Sequence, residues 1–180
     1  MLKILKTFKG WKVIEYFLKN PNKIIHIKGL SRELKISPRT SEIYCKKYSQ
    51  QNILSFKKFA NTSQYSLNNN HYLVKSLKQM FILSLINEAE EIKHFIKQNN
   101  IDYLYLYGSY SKGEYSNMSD LDLLIITNNK KLDVEELLNF GEKNDLKIET
   151  TIYTITEWIK KEKSEFGKNI NKIEIYKKEI

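Results

Sequence analysis

The chain has 180 residues, 41% hydrophobic and 12% aromatic, with a formal net charge of +9 and one cysteine. That length allows one domain or two small ones with packed cores; the lone Cys45 excludes an intrachain disulfide, and apolar runs such as Met80–Leu83 fall far short of the roughly 18 residues a membrane span requires. Residues 1–70 hold 14 Lys or Arg against 3 acids and residues 71–180 hold 16 against 18, a segregation that excludes uniform lysine bias and marks the first part as an anion binder, most often of nucleic acid.

The first residues, MLKILKTFKGWKV, interrupt their apolar positions with Lys3, Lys6 and Lys9. They read as an amphipathic start and not a signal peptide, so a soluble, cytoplasmic protein with no membrane partner is expected. Trp11, Val13, Ile14, Phe17 and Leu18 recur at helical spacing until Asn20-Pro21 ends the helix. Ile25 and Ile27 predict a short strand, and Leu30, Leu34 and Ile36 a second helix and turn. Ser37-Pro38 then supplies an N-cap and a proline at the first helical position, opening a third helix to about Gln50. Ile53, Leu54 and Phe56 predict a strand, Lys57 to Ser63 a basic tip, and Gln64 to Leu67 the returning strand. His26, His71 and His94 are too scattered for a zinc site.

This order resembles a winged helix-turn-helix, with LSRELKISPRTSEIYCKKYSQQNIL covering both helices and the entry to the wing. The resemblance implies a domain over residues 1–70 that binds duplex DNA. Arg39, Thr40, Glu42, Ile43, Lys46 and Lys47 would present its recognition helix, and Lys57 and Lys58 its wing. Cys45 and Tyr48 stand where such domains commonly have leucines. Asn52 replaces a frequent glycine and tolerates the left-handed conformation. The alternative is a small helical docking domain for protein partners.

Asn68-Asn69-Asn70 suits a linker. Over residues 71–100 Leu73, Val74, Leu77, Met80 and Phe81 form a helical stripe continued by Leu85, Ala89, Ile92 and Ile96, read as packing that joins the domains or as the seam of a homodimer. Leu104 to Tyr107 predict a buried strand, and from Gly108 the chain reads GSYSKGEYSNMSDLDLLI. Leu121, Leu123 and Ile125 alternate with Asp120, Leu124 and Ile126 as a second strand. Alternation puts Asp120 and Asp122 on one face, roughly 7 Å apart at the backbone. Two acids in an apolar strand are costly unless compensated, and Mg²⁺ takes one or two carboxylates plus substrate phosphates. Ser109 and the N–H groups after Gly108 would open a short helix suited to a phosphate.

At Gly108, Ser109, Gly113, Ser119, Asp120, Asp122 and Leu123 the chain resembles the DNA polymerase β-like nucleotidyltransferases, in particular their minimal domains. Lys112 stands where an arginine is often seen and keeps the charge without the planar fork. The resemblance implies an α+β protein whose residues 101–180 form a mixed sheet flanked by helices. It also implies transfer of a nucleoside monophosphate from an NTP, with ATP the expected donor, to a hydroxyl. Gly108, Ser109 and Ser119 would lie on the nucleotide, and Asp120 and Asp122 would hold two Mg²⁺ ions. A third carboxylate is expected on a neighbouring strand; in LKIETTIYT, Leu146 to Thr154, the only acid is Glu149, with Thr151 and Tyr153 on its face. Glu157 to Phe166 predict a helix and Lys172 to Tyr176 a last strand. Related minimal domains act as antitoxins that add AMP to a tyrosine of a HEPN ribonuclease, so a protein acceptor such as a HEPN-type toxin is an expected partner. The other reading is a DNA-binding transcription regulator whose nucleotidyltransferase domain is inactive and senses nucleotide or docks a partner.

Overall fold

The structure is a computed structural model that describes residues 7–59, 62–129 and 131–179. It is an α+β protein of two compact units. The first runs through Phe81 and includes Gly113–Asn117; the second comprises Ile82–Lys112 and Met118–Ile180. Among the described residues no helix is long and apolar enough to cross a membrane.

In the first unit α1 (Lys9–Lys19) buries Trp11, Val13, Ile14, Phe17 and Leu18, the positions its periodicity marks. Strand β1 (Ile25–His26) is shorter than expected, because Ile27 already begins α2 (Ile27–Leu34). Lys35 closes α2 in the left-handed region, with φ 52°. Helix α3 (Pro38–Gln50) starts where Ser37 predicts it, the Ser37 hydroxyl accepting from the Thr40 N–H at 3.1 Å. Asn52 turns the chain with φ 58°, as the substitution of asparagine for glycine allows. Strands β2 (Leu54–Phe59) and β3 (Thr62–Leu67) pair antiparallel, and β1 adds to β3 to give the order β1-β3-β2. Lys57 and Lys58 are thus paired strand residues, opposite Gln64 and Ser63, and not part of a loop tip. Residues 60 and 61 of the expected tip, and residues 1–6 of the amphipathic start, lie outside the described residues.

The predicted stripe after the linker is only partly a buried face. In α4 (Tyr72–Glu88) Val74, Phe81 and Ile82 are buried, whereas Leu73 and Met80 are 41% and 40% exposed, and the fully buried neighbour of Val74 is Lys78. A break at Ala89, whose extended backbone caps α5 (Glu90–Gln98), divides the long helix in two.

The second unit is built on a four-stranded mixed sheet of order β6-β5-β4-β7: β4 (Tyr103–Tyr107), β5 (Leu121–Ile126), β6 (Ile148–Tyr153) and β7 (Ile173–Lys177). Strand β4 is antiparallel to β5 and β7, and β5 is parallel to β6. On one face Leu104, Leu106, Leu121, Leu123 and Ile125 are wholly buried, the near-continuous apolar sequence expected of central strands. On the other, Tyr105, Leu124, Ile126 and Trp158 form a cluster with Tyr103, Tyr107 and Tyr153. Helix α6 (Gly108–Ser111) is one turn; α7 (Glu135–Asn144) packs on α5, where Lys143 reaches Glu91 at 2.5 Å. The single C-terminal helix expected from Glu157 is two, α8 (Ile155–Glu162) and α9 (Glu165–Asn169). Thr154 and Glu157 form a reciprocal capping box that starts α8 two residues early, a Thr-x-x-Glu signal present in the sequence. Strand β7 begins one residue later than expected.

Replacing Ser37 with alanine removes the α3 cap and leaves the Thr40 N–H without its acceptor. Urea unfolding of the full chain is expected to show a loss of about 1 kcal/mol for Ser37→Ala, with a wild-type denaturant slope.

Candidate active site

The site is assembled where β4 ends. Tyr107 pairs with Asp122 across β4 and β5, and Gly108 then turns into α6 with φ 71°. A Cβ built on Gly108 would stand 2.0 Å from Asp122 Oδ2, so glycine is required twice over, by the backbone angle and by the carboxylate lying against it. Ser111 closes the turn, its hydroxyl 2.9 Å from both the Gly108 and the Asn171 carbonyls. Ser109 is half-buried beside Asp122's end of the sheet. With only four residues, α6 has little macrodipole, and an anion here would depend on individual N–H groups and the serine hydroxyl.

The acids line up across two neighbouring strands. Asp122 on β5 lies directly opposite Glu149 on β6, and paired residues share a face. Asp120 precedes the first residue of β5 rather than lying within it, and is two residues from Asp122 on the same side. Burial first, then the charges of Glu149 and Asp120, push the Asp122 carboxyl above the ordinary aspartate range. Asp120 Oδ2 accepts from Lys147 Nζ at 3.0 Å, and this partner holds the lysine above its ordinary value. Below the acids the Tyr107 and Thr151 hydroxyls are 2.9 Å apart. Burial raises the Tyr107 phenol, and Asp122 and Glu149 add to this, against the hydrogen bond to Thr151. Tyr110, buried within α6, is pushed up to about 12 by burial and then by Asp120 and Asp122.

The family described as "Polymerase beta, Nucleotidyltransferase" matches residues 90–179. The chain belongs to this nucleotidyltransferase family. It is 41% identical over 64 residues to a Methanocaldococcus jannaschii protein named "Putative protein adenylyltransferase", covering 34% of this chain and 52% of that one. The chain therefore spans about half the length of the curated relative it matches. A structure titled "Crystal structure of a putative nucleotidyltransferase" from Sulfolobus solfataricus aligns with 61% of this chain and 92% of its own, at 17% identity and a TM-score of 0.38.

Nucleotidyltransferases of this family use a nucleoside triphosphate and a divalent metal. Among the described residues no group of three or more His, Cys, Asp or Glu side chains is gathered as a ready-made metal site. The donor set nonetheless suits such an ion. Its oxygens are hard ligands, and Asp122 carries mutual carboxylate repulsion that a cation would relieve. Asp120, Asp122 and Glu149 are the residues that would hold it.

The structure brings Gly108, Asp120, Asp122 and Glu149 together. Ser119 lies one residue before Asp120 and has partners of its own. Lys147, Tyr107 and Thr151 were not among the expected site residues. Alternation puts Thr151 on the face of Glu149, no local pattern announces Tyr107, and Lys147 follows once Leu121 is known to pair with Ile148. In the first unit Arg39 is exposed on α3, Thr40 is engaged with Ser37 by N–H and hydroxyl, Lys46 pairs with Glu42 at 2.7 Å, and Lys47 lies 5.9 Å from the Tyr44 ring centroid. Lys57 and Lys58 are exposed on β2.

Because the folded pKa of Asp122 is raised, the native state binds its proton more tightly than the unfolded chain. Stability is lost as pH climbs from the ordinary aspartate range through the raised value. Asparagine carries no such penalty. In chelator at neutral pH, Asp122→Asn is expected to melt a few degrees higher than wild type by calorimetry, the gap closing as pH falls to the point where Asp122 is protonated. A lower melting temperature at neutral pH would show that the carboxylate is stabilised where it sits.

Proposed function

We propose that this protein transfers a nucleoside monophosphate, AMP the expected group, from an NTP to a hydroxyl of a protein or nucleic acid, releasing pyrophosphate. The observation that carries the reading is the register of Asp122 with Glu149 beside the Gly108 turn, since it sets two carboxylates on one sheet face at the glycine-serine turn, with Asp120 two residues before Asp122. Ser109 and the adjoining N–H groups would bind the terminal phosphates. Glu149, the most exposed of the three acids, faces solvent, from which an acceptor arrives, and takes the proton of the attacking hydroxyl. The hydroxyl oxygen bonds to the α-phosphorus as the bond to the β-phosphate oxygen breaks, and pyrophosphate leaves. Two Mg²⁺ ions held by Asp120, Asp122 and Glu149 would supply charge neutralisation and a more acidic acceptor hydroxyl.

For the first unit we propose a winged helix-turn-helix that binds duplex DNA. The succession of α1, β1, α2, α3 and the β2–β3 hairpin supports it, as does the segregation of positive charge. The name of the M. jannaschii relative favours a protein acceptor, with a HEPN-type toxin the class we expect. The Asp120–Lys147 pair favours a second reading: a silent domain that senses nucleotide has its acidic charge partly neutralised by the protein itself.

Incubation with each α-labelled NTP, Mg²⁺ and host lysate separates these. Labelling of a macromolecule by wild type is expected, falling at least about a hundredfold in folded Asp122→Asn. Glu149→Gln is expected to lower turnover by roughly 10²- to 10⁴-fold with little change in NTP affinity. Nucleotide binding without any transfer selects the sensing alternative.

For DNA, log affinity is expected to fall with log salt at about −0.9 per phosphate contact. Lys57→Ala with Lys58→Ala should weaken all sequences similarly and flatten the slope, while Arg39→Ala relaxes sequence preference. Salt-independent binding, or none, assigns the unit to protein docking.

A further inference from the structure

The segment between the two halves of the nucleotidyltransferase signature is not part of the unit that holds the acids. The second unit is left after Lys112 and rejoined at Met118, and the intervening Gly113–Asn117 belongs to the first. Gly113, with φ 67°, lies so close to α4 that a Cβ on it would stand 2.1 Å from the Lys75 carbonyl oxygen. Lys75 Nζ reaches Glu114 at 2.5 Å. The Tyr115 hydroxyl donates to the Leu18 carbonyl at 3.1 Å, and the Asn22 N–H to Asn117 Oδ1 at 3.2 Å.

At the centre is Lys78, 1% exposed. Its ammonium donates to the Tyr115 carbonyl at 2.5 Å and to Asn69 Oδ1 at 3.1 Å, and lies 4.4 Å from the Tyr115 ring centroid. Asn69 in turn donates to the Pro21 carbonyl at 2.8 Å. Burial pulls the Lys78 ammonium down to about 8, Glu114 opposing and Lys75 reinforcing the shift. A buried cation is costly unless specific partners compensate it. Here a helix face otherwise buried through Val74, Phe81 and Ile82 carries a lysine whose partners are the signature segment and the linker asparagine.

We propose that Lys78 is a positioning residue for nucleotide transfer: by holding Gly113–Asn117 in the first unit it fixes the chain that joins Ser109 to Asp120. Its hydrogen bonds go to the Tyr115 carbonyl and to Asn69. It restricts the five residues through which the phosphate-binding turn and the metal-binding acids are connected, so its removal loosens their mutual placement. The proposal rests on the nucleotidyltransferase reading for its catalytic consequence, while the tether itself can be observed without nucleotide.

The test uses the full chain with Lys78→Met, which keeps length and removes the charge. Hydrogen exchange without nucleotide is expected to speed about tenfold or more at Gly113–Asn117, the loss of a charge-assisted hydrogen bond. Exchange should also quicken at 108–112 and 118–120, while the central residues of β4 and β5 stay protected. With Mg²⁺ and ATP as the probe, the apparent Kd rises and turnover falls by up to roughly a hundredfold, as for misplacement at a distance. Unchanged exchange in the segment overturns the proposal, as does faster exchange confined to it with ATP affinity unaltered. If wild type binds no ATP, the nucleotidyltransferase reading fails, and exchange at 108–112 and 118–120 alone decides the tether. If Lys78→Met does not fold, Asn69→Ala, which takes away one acceptor of the Lys78 ammonium, is expected to give the same pattern at smaller amplitude, and wild-type exchange in that variant overturns the proposal.

Discussion

The close approach of the Asp122 carboxylate to Gly108 is the constraint on which the second unit's site depends. Pairing of Tyr107 with Asp122 brings the end of β4 to the acid, and the chain can turn away there only because residue 108 has no Cβ to meet Oδ2. Any other residue would have to displace the carboxylate or the turn. The turn and the acid are therefore a single steric unit, although fourteen positions separate them in sequence.

From that contact the electrostatics follow. Once Asp122 is fixed, parallel pairing brings Glu149 alongside and Lys147 level with Asp120. Against the resulting repulsion stands the apolar burial of β4 and β5 on their other face: Leu104, Leu106, Leu121, Leu123 and Ile125 are removed from water, each contributing on the order of 1.5–3 kcal/mol. Along the acidic face, the Tyr107–Thr151 hydrogen bond and the Trp158 cluster take over two residues beyond the acids. One strand face thus changes from a charged to an aromatic surface within a few ångströms.

The first unit uses buried polarity differently. Its serines meet in the interior, Ser31 2.9 Å from Ser41 and bonded to the Ile27 carbonyl, joining α2 to α3 by a satisfied pair. Lys78 is the single buried charge among its described residues, whereas the lysines and arginine of α3 and the hairpin stay in solvent. Charge is thus divided between an exposed set on α3 and the hairpin and one internal lysine bonded to its own chain.

Much of this was legible in the residues. Periodicity gave α1, Ser37-Pro38 the start of α3, and alternation the shared side of Asp120 and Asp122, because these depend on contacts within a few positions of the chain. The glycine-serine and Ser-Asp-x-Asp spacing gave the family and its α+β fold. Other features belong to the tertiary structure. The helix break at Ala89, the early start of α2 at Ile27, the pairing of Lys147 with Asp120 and the burial of Lys78 in place of Leu73 and Met80 each depend on partners far away in sequence. Glu149 shows the division most clearly: its strand could be read from β-branched residues, but its place opposite Asp122 was decided by strand register, which a one-residue slip would have reversed. Sequence by itself determined which residues could form the elements and the chemistry; only long-range packing, acting through steric fit and the cost of buried charge, decided which of them meet.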